Sequence, residues 1–403
     1  MKAWFTRLLS RQNRIYLDTA ATTPVRLEVL RAMKPYFSHD FANPGALYKE
    51  GVLASGALSK ARTMVARALS VRSEEITFTS GGTEANNLAI FGSVYVELER
   101  GTLPKDIHII STKLEHSSVL APLRLLAEKG VVVSYIPVDT SGLIKLDELK
   151  KLLRPETFLI TVHLVNNEIG VIQPLRDIAR LLQVHYGAGR HPMLHTDASQ
   201  APLYLDPSPE RLGVDMLTLD AQKMYGPKGV GVLFHRRHIS LIPTLYGGGQ
   251  ERGLRSGTEP IPLVVGLAEA LFHATKDRKE VTVRVQKLRD RFIEELKRSL
   301  PQAELNGSLK ERIANNVNIS IPGIDTEFLV IHLDREGIAV STKSTCLTDE
   351  PGSYTVLALG KGATYANSTL RMTLGIHTTW RELSRTVKVL ARTVAKLKLL
   401  DRD

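Results

Sequence analysis

The chain has 403 residues, too many for one small core and enough for a large domain with a lesser one beside it. At 43% hydrophobic and 24% charged residues, with 29 Gly and 19 Pro, it is not collagen-like, low-complexity or mostly disordered. Lysine and arginine exceed aspartate and glutamate by 53 to 42, and the resulting +11 permits phosphates, acidic proteins or RNA-bound partners without selecting among them.

Residues 1–14 carry Arg7, Arg11 and Arg14 without an acid, alongside Trp4, Phe5, Leu8 and Leu9. Lacking the apolar core and cleavage site of a secretory signal, they read as a basic N-terminal extension, with a transit peptide or a surface-binding helix as alternatives. From 15 to 262, short β-branched runs alternate with longer amphipathic ones. Strands are predicted at 76–79, 107–111, 131–136, 158–163, 193–196, 216–219 and 229–234. Helices are predicted at 84–100, 117–128, 145–153 and 175–186, and the i, i+4 run from Leu53 to Leu69 adds another. This is the pattern of an α/β domain with a mostly parallel seven-stranded sheet covered by helices. Residues 262–300 read as a long charged helix broken near 276–279. A smaller α+β C-terminal domain follows within 263–403, with strands at 315–321, 338–340 and 370–373 and helices at 327–335 and 382–400. No apolar run approaches the roughly 18–20 residues that span a bilayer, so no membrane partner is expected.

Three features bear on chemistry. Gly81, Gly82 and Thr83 end a strand and open a helix, which aims free N–H groups and a positive dipole end at one point and favours a phosphate; the plainer alternative is a capped tight turn. Asp197 ends an apolar strand, where ligands of open parallel sheets bind, although a lone acid there is more often a cap. Lys223 follows another strand before a glycine-rich turn, placed to form a Schiff base with an aldehyde cofactor. Anchor, acid and lysine together are what pyridoxal 5'-phosphate requires. His116, after a further strand, offers a flat face for the cofactor ring and a nitrogen that titrates near neutral pH; a capping or surface histidine is the alternative.

The stretches Tyr16-Leu-Asp-Thr-Ala-Ala-Thr-Thr-Pro, Phe78-Thr-Ser-Gly-Gly-Thr-Glu, Val165-Asn-Asn-Glu-Ile-Gly-Val, Lys223-Met-Tyr-Gly-Pro-Lys-Gly and Gly247-Gly-Gly-Gln-Glu-Arg-Gly-Leu-Arg-Ser-Gly-Thr resemble the NifS/IscS-type cysteine desulfurases. These belong to the class V aminotransferases of PLP-dependent fold type I, and the likeness covers nearly the whole chain from Ile15. The resemblance implies that Lys223 forms the imine with the cofactor, Asp197 pairs with its pyridine nitrogen, Gln200 contacts its phenolic oxygen and His116 stacks on its ring. Gly82 and Thr83 would hold the phosphate, Asn167 and Arg371 the carboxylate of L-cysteine. Thr258 would reach the phosphate of a neighbouring subunit, which implies a homodimer.

The single cysteine, Cys346, excludes an intramolecular disulfide and a cysteine-built metal centre, fits a reducing, cytoplasmic setting, and leaves no metal site expected. By the resemblance it is the catalytic thiol that takes sulfur from L-cysteine as a persulfide, releases alanine, and passes the sulfur to an acceptor protein such as an iron–sulfur scaffold or a tRNA-thiolation enzyme. No nucleic-acid module is recognisable, so direct nucleic-acid binding is not expected.

The pattern departs from the family near the chemistry. Asp220 stands where relatives have a phosphate-binding serine, and Gln222 where they have histidine. Like charges about 4 Å apart repel by about 1 kcal/mol in water and about 4 kcal/mol at an effective dielectric near 20, so either Asp220 turns away or the cofactor is held more weakly. The cysteine loop reads Ser341-Thr-Lys-Ser-Thr-Cys without the usual glycine, and Lys343 is a candidate to offset Asp220. Two alternatives to an active desulfurase follow: a cofactor-poor binding platform, or a selenocysteine lyase or other β-eliminating enzyme.

Overall fold

The computed structural model describes residues 14–187, 189, 191–342 and 352–400. The expectations for residues 1–13, for Lys343 and for Cys346 lie outside the described residues.

After a short strand, β1 (Ile15–Tyr16), and a two-turn helix (Leu27–Met33) comes helix α1 (Lys49–Leu69), which buries Ala54, Leu58, Ala61, Val65 and Leu69 along one stripe. The following elements, in chain order, are β2 (Ile76–Thr79), α2 (Gly82–Glu99), β3 (His108–Thr112), α3 (Ser117–Glu128), β4 (Val132–Ile136), α4 (Leu146–Leu152), β5 (Thr157–Thr161), α5 (Leu175–Tyr186), β6 (Met193–Asp197), β7 (Met216–Asp220) and β8 (Gly231–His235). The seven longer strands form one sheet in the order β2-β8-β7-β6-β5-β3-β4. Strands β7, β6, β5, β3 and β4 are parallel, whereas β8 runs antiparallel to both β7 and β2. The mostly parallel sheet expected from the alternating pattern is therefore present.

Neighbouring residues of each strand face opposite layers. Ile109, Leu159, Met216 and Leu233 pack with Ala85, Leu88, Val119 and Leu123 of α2 and α3. Ile110, Ile160, Leu217 and Val232 face the other way, into the cluster that includes α1 and α5. Burial on both faces explains why these strands read as nearly continuous apolar runs. The strand predicted at 158–163 ends early, at Thr161; past it Val162 and Leu164 still donate to His195 O and Asp197 O of β6 at 3.1 and 2.9 Å, while His163 N donates to Glu115 Oε2 at 2.9 Å.

Helix α6 (Ile261–Ser299) corrects the expected break near 276–279: it is continuous over 39 residues. Its inner stripe runs through Leu267, Leu271, Ala274, Val285 and Phe292; two arginines also turn inward, Arg278 donating Nε to Pro202 O at 3.0 Å and the buried Arg289 donating Nη1 to Ile313 O at 2.7 Å. Charged residues around Arg278 face outward, so the helix has no reason to bend. Beyond it lie β9 (Glu304–Leu305), β10 (Asn316–Ser320), α7 (Thr326–Arg335), β11 (Ile338–Ala339), β12 (Thr369–Thr373) and α8 (Trp380–Leu400). The sheet order there is β12-β10-β9, antiparallel throughout. Strand β11 joins β1 in parallel instead, and Asp18 bridges to Thr373, so the start of the described chain is fastened to its last strands.

Among the described residues, no helix is long and apolar enough to cross a membrane, and no group of three or more His, Cys, Asp and Glu could hold a metal ion.

Candidate active site

The carboxyl ends of β3, β5, β6 and β7 open into one cavity, closed on its far side by Ala20 and Ala21 and by Arg371 of β12. Gly82, Thr83, His116, Asn167, Asp197, Gln200, Lys223 and Arg371 all line it. Eight of the residues singled out in the sequence, drawn from segments nearly 300 positions apart, therefore share one cavity. Thr258 does not line it; it is exposed, after Gly257, whose N–H bonds Gln250 Oε1 at 3.0 Å. Cys346 lies outside the described residues, but the chain leading to it leaves from Ser341, whose N–H donates to Arg371 O at 3.1 Å.

Lys223 ends the short turn after β7 and donates Nζ to Ala20 O at 2.8 Å and Ala21 O at 2.6 Å. Gln200 Nε2 also donates to Ala20 O, at 3.0 Å. Asp197 sits at the tip of β6, accepting from Ser199 N at 2.9 Å and Asn86 Nδ2 at 2.8 Å. Burial pushes its carboxyl up, but the hydrogen bonds from Ser199 and Asn86 outweigh burial and hold it below the usual carboxylate range. It is therefore a fixed negative charge at neutral pH.

His116 caps α3. Its Nδ1 lies 2.8 Å from Ser118 Oγ and accepts Ser118 N at 3.1 Å. Asn86 Nδ2 donates to the same Ser118 Oγ at 2.8 Å, so the hydroxyl proton is directed at Nδ1 and the network assigns the imidazole proton to Nε2. Burial lowers the His116 pKa more than Asp197 raises it, which keeps the ring neutral near pH 7. One asparagine thus ties the strand-end acid to the histidine. Sequence reasoning missed Asn86, whose only signal was an amide one turn into α2 from Gly82.

Three further residues were missed, Asp18, His163 and Ser199. Arg371 bonds Asp18 Oδ1 at 2.8 Å and Asn167 O at 3.1 Å, leaving Nε buried without a partner. His163 pairs Nδ1 with Glu115 Oε1 at 3.0 Å, while its Nε2 has no hydrogen-bond partner. Ser199 Oγ is likewise buried and unbonded at the cavity wall. Of the two alternatives for Asp220, turning away is not the one observed: its Oδ2 accepts Gly82 N at 3.3 Å, at the start of α2.

The sequence pattern of class-V aminotransferases matches residues 15–386. The chain belongs to that family. Within it, this class-V aminotransferase is 38% identical to the cysteine desulfurase IscS of Dictyoglomus turgidum, over 96% of both chains. It is 39% identical to the cysteine desulfurase IscS of Methanosarcina thermophila, over 95% of this chain and 93% of that one. Among solved structures it resembles a NifS-like protein at a TM-score of 0.88 and 33% identity, covering 95% of this chain and all of the other. It also resembles SspA in complex with cysteine, with a TM-score of 0.77, 34% identity, and 91% and 100% coverage. The IscS/NifS cysteine desulfurases are thus the branch to which this family member belongs.

Proposed function

We propose that this protein is a PLP-dependent cysteine desulfurase that converts L-cysteine to L-alanine and carries the sulfur away as a persulfide on Cys346. The observation that carries the reading is the convergence of Lys223, the ionised Asp197 and the buried Arg371 on one cavity. The cavity also fits the cofactor on its own chemistry. Asp197 offers a fixed negative charge for a protonated pyridine, and the unpartnered Ser199 hydroxyl awaits a polar ligand at the wall. Lys223, Asp197, Gln200 and His116 would hold the ring, and Gly82 and Thr83 would face the phosphate, with Thr258 supplied by a neighbouring subunit. Bound there, the cofactor would provide an aldehyde for the substrate amine and a sink for the electrons left when the Cα proton departs.

The chain's residues divide the remaining work. Arg371, with its guanidinium already steered by Asp18 and Asn167 O, orients the substrate carboxylate together with the Asn167 side chain. Lys223 Nζ gives way to the substrate amine and then accepts the Cα proton. His116, neutral with its proton on Nε2, supplies a proton donor beside the ring. The Cys346 thiolate attacks the substrate sulfur. One S–S bond forms as the C–S bond breaks, the electron pair returns to carbon, and protonation releases alanine.

Exposed Leu47, Tyr48, Val52 and Leu53 around the start of α1 support a homodimer, since so much bare apolar surface favours a second copy. The reading places the protein in the cytoplasm, delivering sulfur to an iron–sulfur scaffold or a tRNA-thiolation enzyme. Incubation with L-cysteine tests it. Alanine and sulfide should form in equal amounts with a thiol reductant present, Lys223→Ala should abolish both, and Cys346→Ala should stop sulfur transfer. Sulfur release that survives Cys346→Ala without reductant defeats the assigned thiol.

A further inference from the structure

The start of α2 is shaped for an anion and is already occupied by one of the protein's own. Gly81 leads in at φ 155, a conformation that side chains rarely adopt. A Cβ on Gly82 would come within 3.3 Å of Ser199 Oγ and 3.4 Å of Asp220 Cβ. Ser199 is only 8% exposed, its hydroxyl has no partner, and it faces this point. A helix start and an unbonded hydroxyl together make a cradle for a polar, negatively charged group.

Asp220 faces the same cradle. It is 8% exposed, and its Oδ2 accepts Gly82 N at 3.3 Å and Gln222 Nε2 at 3.1 Å. Its Oδ1 accepts Gln222 N at 3.1 Å. The carboxylate is therefore braced by Gln222 and pointed at the helix start. The charged groups around it do not simply cancel it. Lys223, on the same turn, reaches to Ala20 and Ala21, and Arg255 pairs with Glu84 of α2. Asp197 of β6 adds a second negative charge, and His116 is held neutral by burial.

We propose that Asp220, braced by Gln222, is a resident anion in the phosphate cradle, so that a phosphate monoester binds there as its monoanion, sharing its proton with Asp220. This rests on the cofactor reading above. A dianion would face a fixed carboxylate, whereas an O–H···O bond turns the same contact into attraction. Phosphate monoesters lose their second proton near pH ~6, so above that value binding takes up a proton and affinity falls by up to about tenfold per pH unit. The phosphate end then discriminates less between phosphorylated and unphosphorylated aldehydes, and the cofactor is released more readily in mildly alkaline solution.

The test uses the full chain stripped of cofactor, titrated calorimetrically with pyridoxal 5'-phosphate, pyridoxal and inorganic phosphate at about pH 6 and about pH 8. Asp220→Ser should bind pyridoxal 5'-phosphate at least about tenfold more tightly than the native protein at the higher pH, with the gap narrowing at the lower one. Pyridoxal should bind both equally. Inorganic phosphate should raise the Tm of the variant more than that of the native chain, and proton uptake on binding should be greater for the native chain. Asp220→Asn repeats the comparison with the shape preserved, should the serine variant fold poorly. Equal affinities for pyridoxal 5'-phosphate, or a gap that ignores pH, overturn the inference while a Lys223-dependent visible absorbance band leaves the cofactor reading intact. Absence of that band in every variant at saturating cofactor overturns both.

Discussion

Arg371 Nη2 lies 2.8 Å from Asp18 Oδ1, an ion pair that adds to the backbone bonds joining the segment after β1 to β12 at the edge of the cavity. Burial raises the Asp18 pKa and the Arg371 charge only partly restores it. A carboxyl with a raised folded pKa costs stability above that value, and the cost is relieved as pH falls through it. Arg371→Ala should therefore lose about 3 kcal/mol in urea unfolding at neutral pH and recover part of that toward pH ~4. Adding Asp18→Asn should restore much of the loss, and strict additivity of the two changes would contradict the coupling.

Glu251 holds the loop that leads to Thr258. Its carboxylate receives Arg62 through both Nη atoms, at 2.7 and 2.6 Å, and Phe78 N at 2.9 Å, although its own φ is 48°. Glu251→Ala leaves the Arg62 guanidinium enclosed and unpaired, so unfolding measurements should show a loss of about 3–5 kcal/mol. Glu251→Gln should cost less, because one hydrogen bond to Arg62 survives.

Asn86 donates to both Asp197 and Ser118, so its removal should act on the acid and the histidine together. Asn86→Ala withdraws a hydrogen bond that keeps the Asp197 carboxyl low, and bonds to charged groups are worth about 1.5–3 kcal/mol. The acidic limb of the kcat/KM profile for L-cysteine should move up by about 1–2 pH units. An unmoved limb with reduced turnover would mean that Asn86 only supports packing.

His195 lies beneath the cavity with Thr161 Oγ1 at 2.8 Å and Thr218 Oγ1 at 3.2 Å. Burial lowers its pKa against the opposing pull of Asp197. A histidine with a depressed folded pKa contributes stability that is complete above its unfolded value near 6.5 and is lost as pH falls from there toward the folded value. Chemical unfolding across that window should steepen by up to about 1.4 kcal/mol per pH unit, and His195→Gln should flatten the slope. His108, pushed down to about 4 chiefly by burial and bonded to Thr157 and Ser134, should leave a residual slope in that variant.

Much of this architecture was legible because its signals are local. Val and Ile runs with both faces buried gave the sheet, and the spacing of Leu58, Ala61, Val65 and Leu69 gave α1. Lys223 and Asp197 stood out because a charged residue at the end of an apolar strand is conspicuous. The unbroken course of α6 was misread because Arg278 looks like a break in an apolar stripe until Pro202 O is seen to receive it. Asn86 and Asp18 are ordinary polar residues in sequence, and their partners lie on other elements.

The sequence alone determined the alternation of strands and helices and the residue types the chemistry needs, since periodicity and side-chain chemistry are properties of a short stretch of chain. Only the tertiary structure decided which charges meet. Asp18 finds Arg371 across 353 positions, and Asp220 finds Gly82 across 138. An ion pair or a crowded anion site depends on distances of a few ångströms and on exclusion of water, and neither exists until the sheet, β12 and the start of α2 are packed together.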